Sequence, residues 1–195
     1  MHGLVLKAVQ QFITDLYGAT RWGEIVAHAG LDFDDFASMS EYDKTLGLRV
    51  LKSTAHILDQ RRAEILEDIG TYLVSHPNVE ALRRLLRFGG ANYNEFLNSL
   101  DDLPGRVQLA VPNLVLPSLQ LREHSANHFS LTCNSEIDGF GHVLIGMLRA
   151  MADDYGALVL VELRASGQGC EILAITLLED TFSEGRNFDL GAMVS

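Results

Sequence analysis

The hydrophobic period of the chain changes once, near Pro112, and that change constrains the fold more than any other feature of the sequence. Before it, apolar residues recur every three or four positions, as on a helix; after it, short runs alternate residue by residue, as on a half-buried strand. Leu4, Val5, Ala8, Phe12, Ile13 and Leu16 form one helical stripe, and Gly18 offers a stop. A second short helix is predicted over residues 22–29, ended at Gly30. Residues 32–43 are acidic and aromatic and read as a loop with a turn of helix. Lys44 to Leu58 is amphipathic, with Leu48, Leu51, Ala55 and Leu58 on one face. A helix over 64–75 closes at His76-Pro77, because a residue before proline avoids helical dihedrals. Another spans 80–88 and breaks at Gly89-Gly90. A further helix starts at Asn92 and is ended or bent at Pro104-Gly105.

Beyond Pro112, Leu119–Arg122 and Phe129–Thr132 alternate around a polar turn at Ser125-Ala126-Asn127, which predicts a hairpin. Gly141 to Tyr155 is an apolar helix carrying Val143, Leu144, Met147, Leu148 and Met151. Two more strands, 157–163 and 170–177, are joined by a turn containing Gly167 and Gly169. The predicted class is α+β: a helical N-terminal half, then an antiparallel sheet crossed by one long helix. This pattern is shared by many folds and names no function by itself.

The chain has 195 residues, 47% of them hydrophobic and 21% charged, which suits one domain with a real core. Its formal net charge of −11 repels phosphate backbones and anionic lipid, so nucleic acid and membrane surfaces are poor partners. The local basic groups, Arg61-Arg62 and Arg83, Arg84 and Arg87, read as solvated helix faces, as do Asp101-Asp102 and Asp153-Asp154. Cys133 and Cys170 lie far apart without metal-type spacing, which fits reduced thiols in a cytoplasmic protein. No signal peptide is read at the start, and no apolar run reaches the ~20 residues a spanning helix needs. No catalytic constellation emerges: Gly139, Gly141 and Gly146 lack the phosphate-loop arrangement, and Ser135, Asp138 and His142 share triad residue types without triad spacing. The reading is of a module that is not an enzyme.

Several separate segments carry a family resemblance. The opening MHGLVLKAVQQFITDLYGATRWGEIVAHAGL, then IGTYLV, LLRFGGANYNEFLNSLDDL, PNLVLPSL and SEIDGFGHVLIGMLRAMADDYG occur in order up to about Leu178. Together they resemble the haem nitric-oxide/oxygen-binding (H-NOX) domains, gas-sensing modules found alone in bacteria and in soluble guanylate cyclases. The resemblance implies a single domain over 1–178, with a helical subdomain over about 1–60, an α/β subdomain over 61–178 and a polar tail over 179–195. It also implies a haem sandwiched between the subdomains.

The family's iron-holding histidine follows a motif like LDDL, and Pro104 stands at that position here. The Tyr-x-Ser-x-Arg motif that holds the haem propionates matches Cys133, Ser135 and Ile137, so only the serine is kept, and Glu136 would bring negative charge towards the propionates. Pro117 matches the proline that packs on the porphyrin. A proline nitrogen in the chain has no lone pair to offer iron, and within a helix interior it costs roughly 3 kcal/mol. The helix at Pro104 is therefore expected to be broken or to start late. Ile137 supplies no guanidinium fork for a carboxylate. Among the seven histidines, His76 precedes a proline and is placed to approach a pocket from a loop, His142 lies near the start of the crossing helix, and His124 and His128 flank the hairpin turn and are expected to be exposed. Cys133 is the remaining alternative ligand and reads more simply as a buried small hydrophobe.

The resulting expectation is a sensor or signalling module with weakened or lost haem binding, with no cofactor and no metal. Haem through a non-standard ligand is the alternative, and an enzyme of unknown activity is the third reading. The resemblance implies a signalling partner such as a cyclase, a cyclic-di-nucleotide enzyme or a histidine kinase, and the cavity is free for a small apolar ligand.

Overall fold

Helix-period segments become helices and alternating segments become strands. The computed structural model describes residues 1–167 and 169–187. Helix α1 (Gly3–His28) is interrupted at Gly18, whose φ of 87° and ψ of 162° are not helical. The two predicted helices are thus two arms of one element, joined at the residue expected to stop the first. Helix α2 (Lys44–Leu58) matches its predicted bounds, with the Asp43 side chain accepting a hydrogen bond from Thr45 N at its start. The loop before it contains turns but no helical turn. Helices α3 (Arg62–Ser75) and α4 (Glu80–Arg87) flank a 3₁₀ turn at Pro77–Val79.

The predicted helix from Asn92 is divided into α5 (Tyr93–Asn98), a 3₁₀ turn (Leu100–Asp102) and α6 (Leu103–Ala110). Pro104 lies in the first turn of α6, where its missing N–H has no intrahelical partner to lose. The helix thus starts late, as expected, and the penalty of an interior proline does not arise.

Strands β1 (Ser118–Ser125), β2 (His128–Asn134), β3 (Leu158–Gly167) and β4 (Cys170–Glu179) form an antiparallel sheet of order β1-β2-β4-β3. Helix α7 (Phe140–Tyr155) joins the two hairpins. The strand period of two turns Phe129, Leu131 and Cys133 of β2, and Glu171, Leu173, Ile175 and Leu177 of β4, to the buried face. There they share one cluster with Leu144, Leu148 and Met151 of α7 and with Tyr93, Phe96 and Leu97 of α5. A second cluster unites Phe12, Ile13 and Ile25 of α1, Val50 of α2, and Ile65, Leu66 and Ile69 of α3.

Helices α3 and α7 cross with almost no side-chain layer between them. A Cβ on Gly70 would lie 2.0 Å from the Val143 carbonyl oxygen, and one on Gly146 would lie 1.9 Å from that of Glu67. Neither position admits any side chain.

Two groups of charges are not solvated as the sequence implied. Arg83 is buried, its Nε donating to Asp154 Oδ1 at 2.8 Å, and the Asp154 side chain is only 1% exposed. Arg87 sets its guanidinium 3.9 Å from the centre of the Tyr155 ring. Charge here serves packing between α4 and α7, because an ion pair can be buried when its members satisfy each other. Past β4 the chain folds back over the end of α7. Phe182 N and Ser183 N donate to Gly156 O, and Arg186 N donates to Asp154 O at 2.9 Å. The rest of the predicted polar tail, 188–195, lies outside the described residues.

Candidate functional site

Five positions singled out in the sequence lie in α6, before β1, at the end of β2 and in the turn that follows it. The 3₁₀ turn and α6 bring Pro104, half-buried, over Leu103 and Val107, which belong to that core. Asp101, just ahead of it, accepts a hydrogen bond from Leu121 N at 2.6 Å and so covers the outer edge of β1. Pro117 is half-buried and leads into β1. Cys133 ends the buried row of β2 and is fully enclosed, at 0% exposure. Ser135 and Ile137 sit in the turn between β2 and α7. The Ser135 hydroxyl accepts from Ile137 N at 2.9 Å, while Ser135 N donates to Gly169 O at 2.8 Å. Ser135 therefore holds its own turn, a local role that a hydroxyl fills well.

The buried charge beside these positions is one the sequence reading missed. Glu171 lies opposite Cys133 in the β2·β4 register and is 4% exposed. Its Oε2 accepts from Gly141 N at 2.7 Å, at the start of α7, and Ser166 Oγ lies 3.4 Å from Oε1. A carboxylate at a helix N-terminus meets both free N–H groups and the positive end of the helix dipole. Glu136, expected to bring negative charge here, instead points outward and pairs with Lys44 of α2. The signal for Glu171 was present in the sequence: it is in phase with Leu173, Ile175 and Leu177.

A shallow cleft of about 230 Å³ opens next to this carboxylate, lined by Arg62, Leu66, Asp138, His142 and Glu171 among others. Arg62 reaches Asp138 at 3.1 Å, and His142 Nδ1 is 3.0 Å from Glu67 Oε1. Glu67 also accepts from Arg149 at 3.0 Å, so His142 is engaged in joining α3 to α7. Ser135, Asp138 and His142 are thus committed to separate contacts.

The histidines do not turn to the core under Pro117. His2 is buried, but it caps α1, its Nδ1 accepting from Leu4 N. His76 stacks on Tyr72 beside Asp15. His124 and His128 are exposed at the hairpin tip, as expected, next to Ser130 and Ser125. Burial, reinforced by Glu171, pushes the Cys133 thiol up to about 12, so it stays protonated at neutral pH.

The sequence profile of the haem-NO-binding family, HNOB, matches residues 2–163. The chain belongs to the HNOB family. Soluble guanylate cyclase gcy-31 of Caenorhabditis elegans is 24% identical over 164 residues, which is 84% of this chain and 23% of that protein. Soluble guanylate cyclase 89Da of Drosophila melanogaster is 20% identical over 158 residues, 81% of this chain and 24% of that protein. The chain thus spans about a quarter of the length of these curated relatives. Its fold is that of the H-NOX proteins. The Fe(II) unliganded H-NOX protein from K. algicida superposes with a TM-score of 0.79 at 16% identity, covering 94% of this chain and all of the other. An H-NOX protein from S. oneidensis in the Fe(II)NO state gives 0.77 at 15% identity, covering 92% of this chain and 100% of the other. The chain is an HNOB sensor domain related to soluble guanylate cyclases, of a kind that senses rather than catalyses.

The positions that the resemblance assigns to haem contacts carry side chains of a different chemistry in this HNOB chain. A ring bound against Cys133 needs open space there, and the side chain has none. Pro104 offers iron no electron pair, Ile137 offers a propionate no donor, and Glu171 adds a buried like charge beside the Cys133 position.

Proposed function

We propose that this HNOB domain is a signalling module that has lost the iron-based gas trigger and works through contacts with a protein partner. The observation that carries this reading is the closed Cys133–Glu171 pair, in a core that Cys133 shares with a helix that starts at Leu103 with a proline in its first turn. An iron–imidazole bond couples gas binding to protein motion only if the imidazole exists. On this reading Pro104 occupies the ligand position, Cys133 and Ile137 replace the propionate donors, and Ser135 and Pro117 keep structural roles. The helical layer over 1–60 and the α/β body over 61–178 are the moving and fixed parts, with 179–195 as tail.

The favoured partner is a guanylate cyclase subunit or domain, because the curated relatives are soluble guanylate cyclases. A cyclic-di-nucleotide enzyme or a histidine kinase would use the same module. A small apolar ligand is a further candidate signal, bound after a side chain of the core moves aside. We place the domain in the cytoplasm, where its two free thiols remain reduced. Among the described residues no helix is long and apolar enough to cross a membrane.

Hemin titration of the purified protein tests the reading. We expect no stoichiometric Soret band and no change in thermal midpoint. A tight one-to-one complex whose band disappears on replacing one histidine or Cys133 would establish an authentic haem sensor with a non-standard ligand instead.

A further inference from the structure

The last turns of α1 and α2 each carry one histidine, and the two rings meet. His28 and His56 stack with centroids 4.5 Å apart and planes inclined by 27°. Both residues are exposed. Ser53, buried on α2, places its Oγ 3.0 Å from His28 Nδ1. We propose that His28 and His56 form a two-imidazole site for a borderline divalent transition ion, of the Zn²⁺, Ni²⁺ or Cu²⁺ class, which clips the second arm of α1 to α2.

Three features point to a cation of that class. The first is reach. Two nitrogens bound at 2.0–2.1 Å to a tetrahedral ion lie roughly 3.3 Å apart. The two ring centroids are 4.5 Å apart, and to share an ion these exposed side chains must turn out of the stack so that their in-plane lone pairs converge. The second is orientation. In the tautomer whose Nδ1–H donates to Ser53 Oγ, the lone pair of the His28 ring rests on Nε2. A hydrogen bond to the non-ligating nitrogen is the usual support of a metal-bound imidazole. The third is charge. Each ring sits at a helix C-terminus, where the helix carbonyls favour a cation, and the chain as a whole carries −11.

Imidazole selects Zn²⁺, Ni²⁺ and Cu²⁺ over Mg²⁺ and Ca²⁺. Among the described residues no group of three or more His, Cys, Asp or Glu gathers as a metal set, so water completes the coordination and the site exchanges its ion readily. Its consequence lies in α1. The non-helical Gly18 separates the arm ending in His28 from the first arm, and the ion fastens the second arm to α2.

Cu²⁺ titration followed by electron paramagnetic resonance, with thermal unfolding in Ni²⁺ or Zn²⁺, tests the site on the full chain. We expect a one-to-one Cu²⁺ signal with coupling to two imidazole nitrogens. At an ion concentration about a hundred times the dissociation constant, the thermal midpoint should rise by roughly 5–10 °C. Either His28→Ala or His56→Ala should abolish both effects, while the double variant His124→Ala/His128→Ala keeps them. Ser53→Ala should weaken binding several-fold without removing it. Absence of ion binding in the parent protein, binding that survives His28→Ala and His56→Ala, or binding lost with His124 and His128 would overturn the assignment.

Discussion

Glu171 on β4 stands directly across from Cys133 on β2, and both side chains point to the face of the sheet that α7 covers. A carboxylate and a thiol are therefore enclosed together where the family resemblance sets a propionate-binding donor. The carboxylate is held by Gly141 N at the start of α7, and the thiol remains neutral. Under the function proposed above, this pair is how the chain closes its own core.

Alkaline pH should expose the thiol's contribution. Its value in the folded chain, about 12, lies above the ordinary 9.0. Stability from keeping the thiol neutral is then intact below about pH 9 and lost progressively as pH rises towards about 12. Denaturant titrations across that range should show a flatter pH dependence for Cys133→Val than for the parent chain. Equal slopes in the two proteins would contradict the assignment.

Removing the carboxylate should cost more than neutralising it. Glu171→Leu leaves Gly141 N buried without an acceptor, a loss of about 1–3 kcal/mol. Glu171→Gln keeps an acceptor oxygen and should lose less. Calorimetric midpoints of the two variants give the order directly.

The Arg83–Asp154 pair should behave as a buried ion pair rather than as surface charge. Asp154→Ala leaves the buried Arg83 guanidinium without its buried partner, only partly offset by the more exposed Glu80, and should destabilise by about 3 kcal/mol. Adding Arg83→Met should recover part of that loss. If chemical denaturation finds the double variant as unstable as the sum of the singles, the coupling is refuted.

Two glycines, one inside a helix crossing and one outside it, should respond in opposite ways. Gly146→Ala drives a methyl group into the Glu67 carbonyl and should prevent native packing or lower the thermal midpoint steeply. Gly105→Ala meets nothing within 4 Å and should be neutral or stabilising, by up to about 1 kcal/mol.

Supplying the missing imidazole should not restore haem. Pro104→His adds a ligand at the start of α6, yet Cys133 stays enclosed and Ile137 still lacks a donor. Hemin titration of this variant should show no stoichiometric Soret band. The triple variant Pro104→His/Cys133→Tyr/Ile137→Arg is the one expected to gain affinity. A tight complex with Pro104→His by itself would show that the pocket opens readily.

Much of the fold was legible because periodicity reports burial. Lys44–Leu58 and the two hairpins declared themselves through spacing, and Gly18 through its freedom at positive φ. What stayed hidden were charges that depend on partners distant in sequence. Arg83 and Asp154 are far apart in the chain, and each alone resembles a solvated group. Pro104 signalled a helix that is broken or starts late, and a new helix does begin at Leu103, though its bounds follow from packing rather than from the proline itself. The His28–His56 stack had no local signature, since it arises from the packing of α1 on α2.

The segment past β4 gives α7 an unusual dependence. The last carbonyls of that helix are satisfied by amides of Phe182, Ser183 and Arg186, which are made long after it in the chain. Unzipping the one must fray the other. A protease that nicks near Ser183 would therefore reach the helix at the heart of the sheet layer without touching it, and a tug on that stretch would be felt at Tyr155.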